Sequence, residues 1–349
     1  MKRILSIFMN RGFIFILILS VFLVSCHKEE KKENALNLLI SPYQDLAMIV
    51  NVKPLKLEEK YKMKLNITTV PWQNIMPLLN GVNSEFNVGF AGYGEYLTKY
   101  YNINRDSKDK LVFIYPVYIF KGGAFITFDK NIPELYKDEK IDENAVKTFL
   151  SKKIGLQKSS IYEMLVYKLS KKVGIDKNNI KIYDVPMSDA ILAAQHGDVD
   201  IAAVGLTQLT EALKRGAKLL LIMDDIGFSD ITGFVCKESY LKNHRQNVIN
   251  LINMWYDCVN YVFRDIDNNS KYSLEYLRNN ASTKYTLEQY KKALSHEYFP
   301  LSYEEAYNSI IKENSKYDYK RLYKDMTDFL VEEKIVPKRP PLPEFIVLK

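Results

Sequence analysis

The sequence predicts an α/β protein of two similar lobes, with a ligand cleft between them and two crossings of the chain from lobe to lobe. Three observations carry this. First, Ala190–Leu213 (AILAAQHGDVDIAAVGLTQLTEAL) reads as the end of an apolar helix, a tight turn at Gly197-Asp198, a short buried strand over Val199–Val204, and a glycine turn at Gly205 opening a second helix. Strand, glycine, polar residue, helix is how α/β proteins aim backbone N–H groups at a ligand beyond a strand's carboxyl end. Second, the unit occurs twice: Gly81 and Gly89 stand 116 residues before Gly197 and Gly205, and Val70-Pro71 opens a helix as Val185-Pro186 does. Third, glycines break two extended stretches, Lys121-Gly122-Gly123 and Gly227–Gly233, where a chain would leave one lobe and return.

The N-terminus is a targeting segment. Lys2, Arg3 and Arg11 precede an apolar run of 13 residues, Gly12–Val24, too short to span a bilayer comfortably and suited to a signal-peptide core. It ends in Leu23-Val24-Ser25-Cys26, which resembles a bacterial lipobox. Residues 1–25 are therefore expected to be removed and Cys26 to carry a lipid, with the charged tether through residue 35 holding the body off the membrane.

Residues 36–120 are expected to form the first part of lobe one: strand Leu36–Ile40, the loop Ser41–Asp45, a helix to about Tyr61 interrupted near Pro54, strand Leu65–Val70, a helix begun by Pro71-Trp72, the loop Gly89–Glu95 with its helix, and strand Leu111–Phe120. Residues 121–230 form lobe two, with a short helix near Glu143–Leu150 and the second copy over Lys153–Met223. Residues 231–349 return to lobe one and are mostly helical; Val248, Leu251, Ile252, Trp255, Val259 and Val262 share one helix face.

After loss of the leader the chain carries 46 basic and 42 acidic residues, a mild balance that does not call for nucleic acid. Of the cysteines, Cys26 is assigned to the lipid, and Cys236 and Cys258 read as buried free thiols without a disulfide framework. The histidines His27, His196, His244 and His296 are scattered without metal-ligand spacing, and no GxSxG, HExxH, Walker A or GxGxxG motif stands in the chain. No catalytic residue, cofactor or metal is assigned.

From these residues the sequence resembles the type II periplasmic binding proteins of the sulfonate, taurine, nitrate and thiamine-precursor group. The resemblance covers nearly all of Leu36–Phe345 and rests on Ala190–Gly205, the KIGLQKSS strand and loop, the ITGF return and the KIVPKRPPLPEF tail. It departs at Asn83–Asn87, where relatives carry a short Gly-x-Asp-x-Ala turn, and at Gly205–Gln208, where many are rich in aromatics. It implies the solute-binding component of an ABC importer, a monomer in the cell envelope with permease and ATPase partners. The alternatives are a cytoplasmic biosynthetic enzyme on the same fold, against which export argues, and an exported sensor.

Five loops are expected to line the cleft, Ser41–Asp45, Gly89–Glu95, Lys121–Gly123, Gln157–Tyr162 and Gly205–Gln208, with Asp230 at the rim. The candidate ligand contacts are Ser41, Tyr43, Gln44, Asp45, Gly92, Tyr93, Gly122, Gly123, Ser159, Ser160, Tyr162, Gly205, Thr207 and Asp230. Ser159 and Ser160, and likewise Thr207, precede or open helices and can hold an anion or simply cap the helix. Tyr43, Tyr93 and Tyr162 can stack on a ligand, and Asp45 can pair with an amine. Trp72 reads as core and Glu95 as compensation of a helix dipole. Because no arginine lies in these loops, a small organic anion or polar heterocycle is favoured over a polyphosphate.

Overall fold

The protein was analysed as a computed structural model, which describes residues 34–281 and 284–348. The expected signal peptide and the lipid-bearing Cys26 lie outside the described residues.

The first half runs β1 (Ala35–Ile40), a 3-10 turn at Ala47–Val52, α1 (Leu57–Tyr61), β2 (Lys64–Thr69), a 3-10 turn at Trp72–Asn74, α2 (Ile75–Asn80), β3 (Val88–Gly92), α3 (Tyr93–Ile103) and β4 (Leu111–Phe120). The single helix expected before Tyr61 is two pieces, separated around Pro54 by Lys56 in a left-handed backbone (φ 54°). Past the first crossing come β5 (Ala124–Thr127), a small hairpin of β6 (Tyr136–Lys137) and β7 (Lys140–Ile141), and α4 (Glu143–Leu150). The Asp142 carboxylate caps α4 by accepting from the N–H groups of Asn144 and Ala145. The second copy follows: β8 (Lys153–Leu156), α5 (Ile161–Lys172), β9 (Lys181–Asp184), α6 (Ala190–His196), β10 (Ile201–Val204), α7 (Leu206–Lys214) and β11 (Lys218–Ile222).

The return strand β12 (Asp230–Lys237) leads into α8 (Glu238–Asn243), α9 (Arg245–Arg264), α10 (Ile266–Asn269), α11 (Lys271–Asn280), α12 (Leu287–His296), α13 (Tyr303–Ala306) and α14 (Tyr319–Glu332). Two five-stranded sheets result, in the orders β2-β1-β3-β12-β4 and β9-β8-β10-β5-β11. Three parallel strands start each sheet, and an antiparallel strand is then inserted before the last. The inserted strand is in each case the one that has just crossed over: β5 in the second sheet and β12 in the first. The repeat visible in the sequence is thus a repeat of topology.

The alignment needs one correction. Gly205 is the residue before α7, and its counterpart before α3 is Gly92, whereas Gly89 lies inside β3. The first copy's strand runs three residues further before its helix starts.

Apolar runs make strands buried on both faces, as helix-covered sheets require. All five residues of β3 are buried, as are all four of β10. The six apolar residues predicted to share a face of α9 are each 0% exposed and pack over the first sheet with Phe90 and Phe234. α14 packs on α3, while α12 reaches α7 beside the second sheet. Among the described residues no helix is long and apolar enough to cross a membrane.

Cys236 in β12 and Cys258 on α9 are free and buried, and burial pushes the Cys236 thiol up to about 12. Both should resist an aqueous thiol reagent until the protein unfolds, when each is modified; labelling of either in the native chain, read by mass spectrometry, would contradict their placement.

Candidate functional site

The carboxyl ends of β1, β3 and β8, the starts of α3, α5 and α7, and the two crossing strands β4 and β12 converge on one cavity of about 80 Å³ between the sheets. That is several times the roughly 10–15 Å³ a single water needs, so the enclosed space suits a compact solute. A wider mouth of about 430 Å³ continues it, bounded by Pro42, Pro71, Ser188 and the end of α11.

From the first-sheet side come Tyr43, Gln44 and Asp45 after β1, Trp72, Gly92 and Glu95, the strand residues Tyr118 and Phe120 of β4, and Asp230 and Thr232 of β12. From the second-sheet side come Gln157, Ser160, Ile161, Tyr162, Met187, Gly205 and Gln208; Tyr285, from the segment between α11 and α12, closes one end. The walls are aromatic, with the Tyr43 and Trp72 rings 6.0 Å apart. Of the polar groups, Asp45, Glu95 and Asp230 only accept when ionised, while the hydroxyls, amides and indole around them can donate.

Three buried carboxylates face this space. Asp45 accepts from the Tyr118 hydroxyl through Oδ2, while its Oδ1 is buried without a partner. Burial raises the Asp45 carboxyl to about 6 against the Tyr118 hydrogen bond that lowers it. Asp230 accepts from the Gly94 N–H at 3.0 Å and from its neighbour Ile231 at 2.8 Å, yet burial still raises it to about 7. Glu95 accepts from the Trp72 indole at 2.6 Å and the Lys99 ammonium at 2.5 Å. Gln157, from the opposite sheet, reaches the same carboxylate at 3.4 Å, so Glu95 ties the two sides of the cleft together.

The crossing is held separately. Glu297 is buried and accepts from the Lys121 N–H at 2.5 Å, and Tyr298 pairs with Ile119 at the end of β4. Burial, and then the nearby Asp45 charge, push the Glu297 carboxyl well above its ordinary value.

Of the expected contacts, Tyr43, Gln44, Asp45, Gly92, Ser160, Tyr162, Gly205 and Asp230 line the cavity. Asp230 is not at the rim but 3% exposed at the start of β12. Thr207 stands in the first turn of α7, and its side chain is outside the described residues. The others are elsewhere. Ser41 is buried and donates to the Val70 carbonyl at 2.8 Å, bracing β1 against the end of β2. Tyr93 is 0% exposed and packs edge-on against Phe113, because the first turn of α3 turns it into the core. Ser159 takes a left-handed backbone (φ 59°), and its N–H is given to Glu163 at 2.5 Å.

Gly122 and Gly123 do not line the cavity either. A Cβ at Gly122 would sit 2.2 Å from Leu206 and 2.4 Å from Glu297, and one at Gly123 would sit 2.3 Å from Met223. Glycine is there because the crossing is squeezed between Leu206 at the start of α7, Glu297 just after α12 and Met223 just after β11.

Two residues read as structural are in the wall instead: Trp72 and Glu95. Tyr118, Phe120, Thr232, Met187, Gln208 and Tyr285 complete it. The Tyr118/Phe120 and Asp230/Thr232 pairs are two apart on strands, hence on one face, and adjoin the crossings; that spacing was the available signal. Tyr285 had none, since helix packing alone brings it in.

Comparison with known proteins agrees with this architecture. Residues 135–265 match the family model described as NMT1/THI5 like. No curated protein matches the sequence. The structure is similar to the alkanesulfonate-binding protein SsuA from Xanthomonas axonopodis pv. citri bound to MOPS, at TM-score 0.63 and 16% identity over 88% of this chain and 95% of that one. It is similar to the periplasmic aliphatic sulphonate-binding protein SsuA from Escherichia coli, at TM-score 0.62 and 17% identity over 90% and 94%. The periplasmic nitrate-binding protein NrtA from Synechocystis PCC 6803 aligns at TM-score 0.56 and 13% identity over 74% and 69%. The chain has the two-sheet α/β fold of the periplasmic binding proteins, with an NMT1/THI5-like match over residues 135–265.

Proposed function

We propose that this chain is the solute-binding component of an ABC importer, tethered to the membrane through a lipid on Cys26. Residues 36–120 and 231–349 would form one lobe and residues 121–230 the other, and a captured solute would be handed to a permease that reads the closed shape. The observation that carries this is the enclosed cavity between two sheets, walled by both and bordered by both crossings. The similar structures are named as binding proteins rather than enzymes, which supports the same reading.

Two ligand chemistries were expected, a small organic anion and a polar heterocycle. The names of the similar structures support the first. The carboxylates in this cavity favour a solute that brings hydrogen-bond donors, as a heterocycle does.

A thermal-shift panel on the purified chain, stripped of carried-over solute, tests the reading. It should contain alkanesulfonates, taurine, nitrate, aminopyrimidines, riboflavin and aromatic carboxylates beside peptides, sugars and metal ions. A true ligand at about 100 times its Kd stabilises the folded state by roughly 2.7 kcal/mol, a shift of several degrees. No shift from any small organic solute would overturn a solute-binding role.

A further inference from the structure

An anion held by helix N-termini needs free backbone donors and, usually, a cation beside them. In this cleft the chain's own acceptors already occupy donors at those loops. The Gly94 N–H, in the first turn of α3, goes to Asp230 at 3.0 Å. Before α5, Lys158 donates to Asp184 at 3.0 Å and Ser159 to Glu163 at 2.5 Å. Before α7, the Gly205 N–H goes to the Gln208 side chain at 2.9 Å.

The cations close by are also taken. Lys99 sits on Glu95 at 2.5 Å, and Lys121 sits on Asp224 at 2.9 Å. Among the described residues, no Lys, Arg or His lines the cavity. Two side-chain atoms of the wall are buried with no partner, the Ser160 hydroxyl and Asp45 Oδ1, and of the two residues only Asp45, 3% exposed, can carry a charge. A buried carboxylate oxygen left unpaired is costly, and a ligand that donates to it recovers that cost. Around it stand the rings of Tyr43, Trp72 and Tyr118, faces that attract a cation.

We infer that the cleft selects a compact organic cation, an ammonium or amidinium head on a small flat or aliphatic body, with Asp45 as its direct partner and Asp230 and Glu95 supplying the surrounding negative field. The inference rests on the solute-binding reading and sharpens it. It also fixes the sign of a pH dependence. The charged and titratable groups facing Asp45 are Tyr43, Tyr118, Tyr162, Tyr290 and Glu297, and those facing Asp230 are Glu95 and Tyr93. None of these groups is basic.

In the empty protein both aspartates are raised above their unfolded values, so their protonation stabilises the fold at low pH and that contribution fades as pH rises through about 6 and 7. A cation binds the ionised form. Its affinity therefore climbs between about pH 5.5 and 8 with release of protons, and an anion shows the opposite trend.

Isosteric sets make the test, by calorimetry and thermal shift on the full chain. Choline is compared with 3,3-dimethylbutanol, and benzamidine with benzamide and benzoate. The expected result is that a cation binds at least about tenfold more tightly than its neutral isostere, more tightly at pH 8 than at pH 5.5, and that Asp45→Asn removes most of the first difference and leaves only the part of the second that Asp230 contributes. Asparagine keeps an acceptor for Tyr118, and the wild-type pH trend needs no variant at all. Binding of benzoate, taurine or nitrate without any cation overturns the inference and leaves the solute-binding reading standing. Neutral isosteres that bind as well as the cations overturn it too. Silence from every cation, neutral solute and anion overturns both.

Discussion

Trp255→Ala should lower the melting temperature by roughly 5–10 °C, the steepest loss expected from any one side chain in this molecule. Trp255 is 0% exposed at the centre of α9, with its ring 5.5 Å from Phe90 of β3 and 6.4 Å from Phe234 of β12. It fastens the C-terminal helices to the adjacent strands β3 and β12 of the first sheet. Truncating a buried tryptophan to alanine costs about 3–5 kcal/mol through lost burial and the cavity left behind. Part of that is offset, because the Trp255 indole N–H is buried without a partner and its removal relieves an unmet donor. Trp255→Phe should separate the two effects, keeping most of the packing, discarding the donor, and melting much closer to wild type. Circular dichroism melts of both variants decide it. An alanine variant within about 1 °C of wild type would mean that α9 is not what secures the sheet.

Glu95→Ala should weaken solute binding by about a hundredfold and loosen the cleft, because one carboxylate serves three partners. Without it the Trp72 indole loses its acceptor, Lys99 becomes an uncompensated cation beside the cavity, and Gln157 loses its partner across the cleft. Loss of a hydrogen bond to a charged group costs about 1.5–3 kcal/mol, so binding is expected to fall further than stability. Glu95→Gln keeps one acceptor oxygen, enough for Trp72, and removes the charge together with the second acceptor that serves Lys99 and Gln157. The alanine variant should scatter as a more open particle in solution, and the glutamine variant should remain compact while still binding a cation more weakly. Equal binding of choline or benzamidine by wild type and Glu95→Ala would remove Glu95 from the site.

Much of the architecture was legible because α/β units punctuate themselves. Glycine and proline fall where strands yield to helices, apolar runs of four to six residues mark strands buried on both faces, and two copies confirm each other. The site was legible to the level of loops and no finer. Tyr93 and Glu95 stand two apart in the first turn of α3, which sends them in nearly opposite directions. Nothing in Tyr-Gly-Glu-Tyr says which of them meets the cleft. The helix start carries Glu95 to the cavity and Tyr93 to Phe113.

Which donors stay free for a ligand was not legible for a related reason. A run such as QKSS before a helix advertises donors, but whether they are free depends on acceptors from distant parts of the chain. The Gly94 N–H is occupied by Asp230, 136 residues later. Counting arginines in the loops was sound as far as it went. The carboxylates had to be counted in space.

The inserted strands also set an order of assembly. β12 lies between β3 and β4, so neither has its partner on that side until Asp230–Lys237 has emerged. The second sheet has no such debt, since β5, β8, β9, β10 and β11 are all behind the growing end by Ile222. A chain released from its N-terminus onward can therefore complete the second sheet while the first still waits for its inserted strand. Closing so large a loop is slow in entropic terms. If the chain is exported, as proposed, a first sheet that cannot lock early is one that does not fold ahead of its passage.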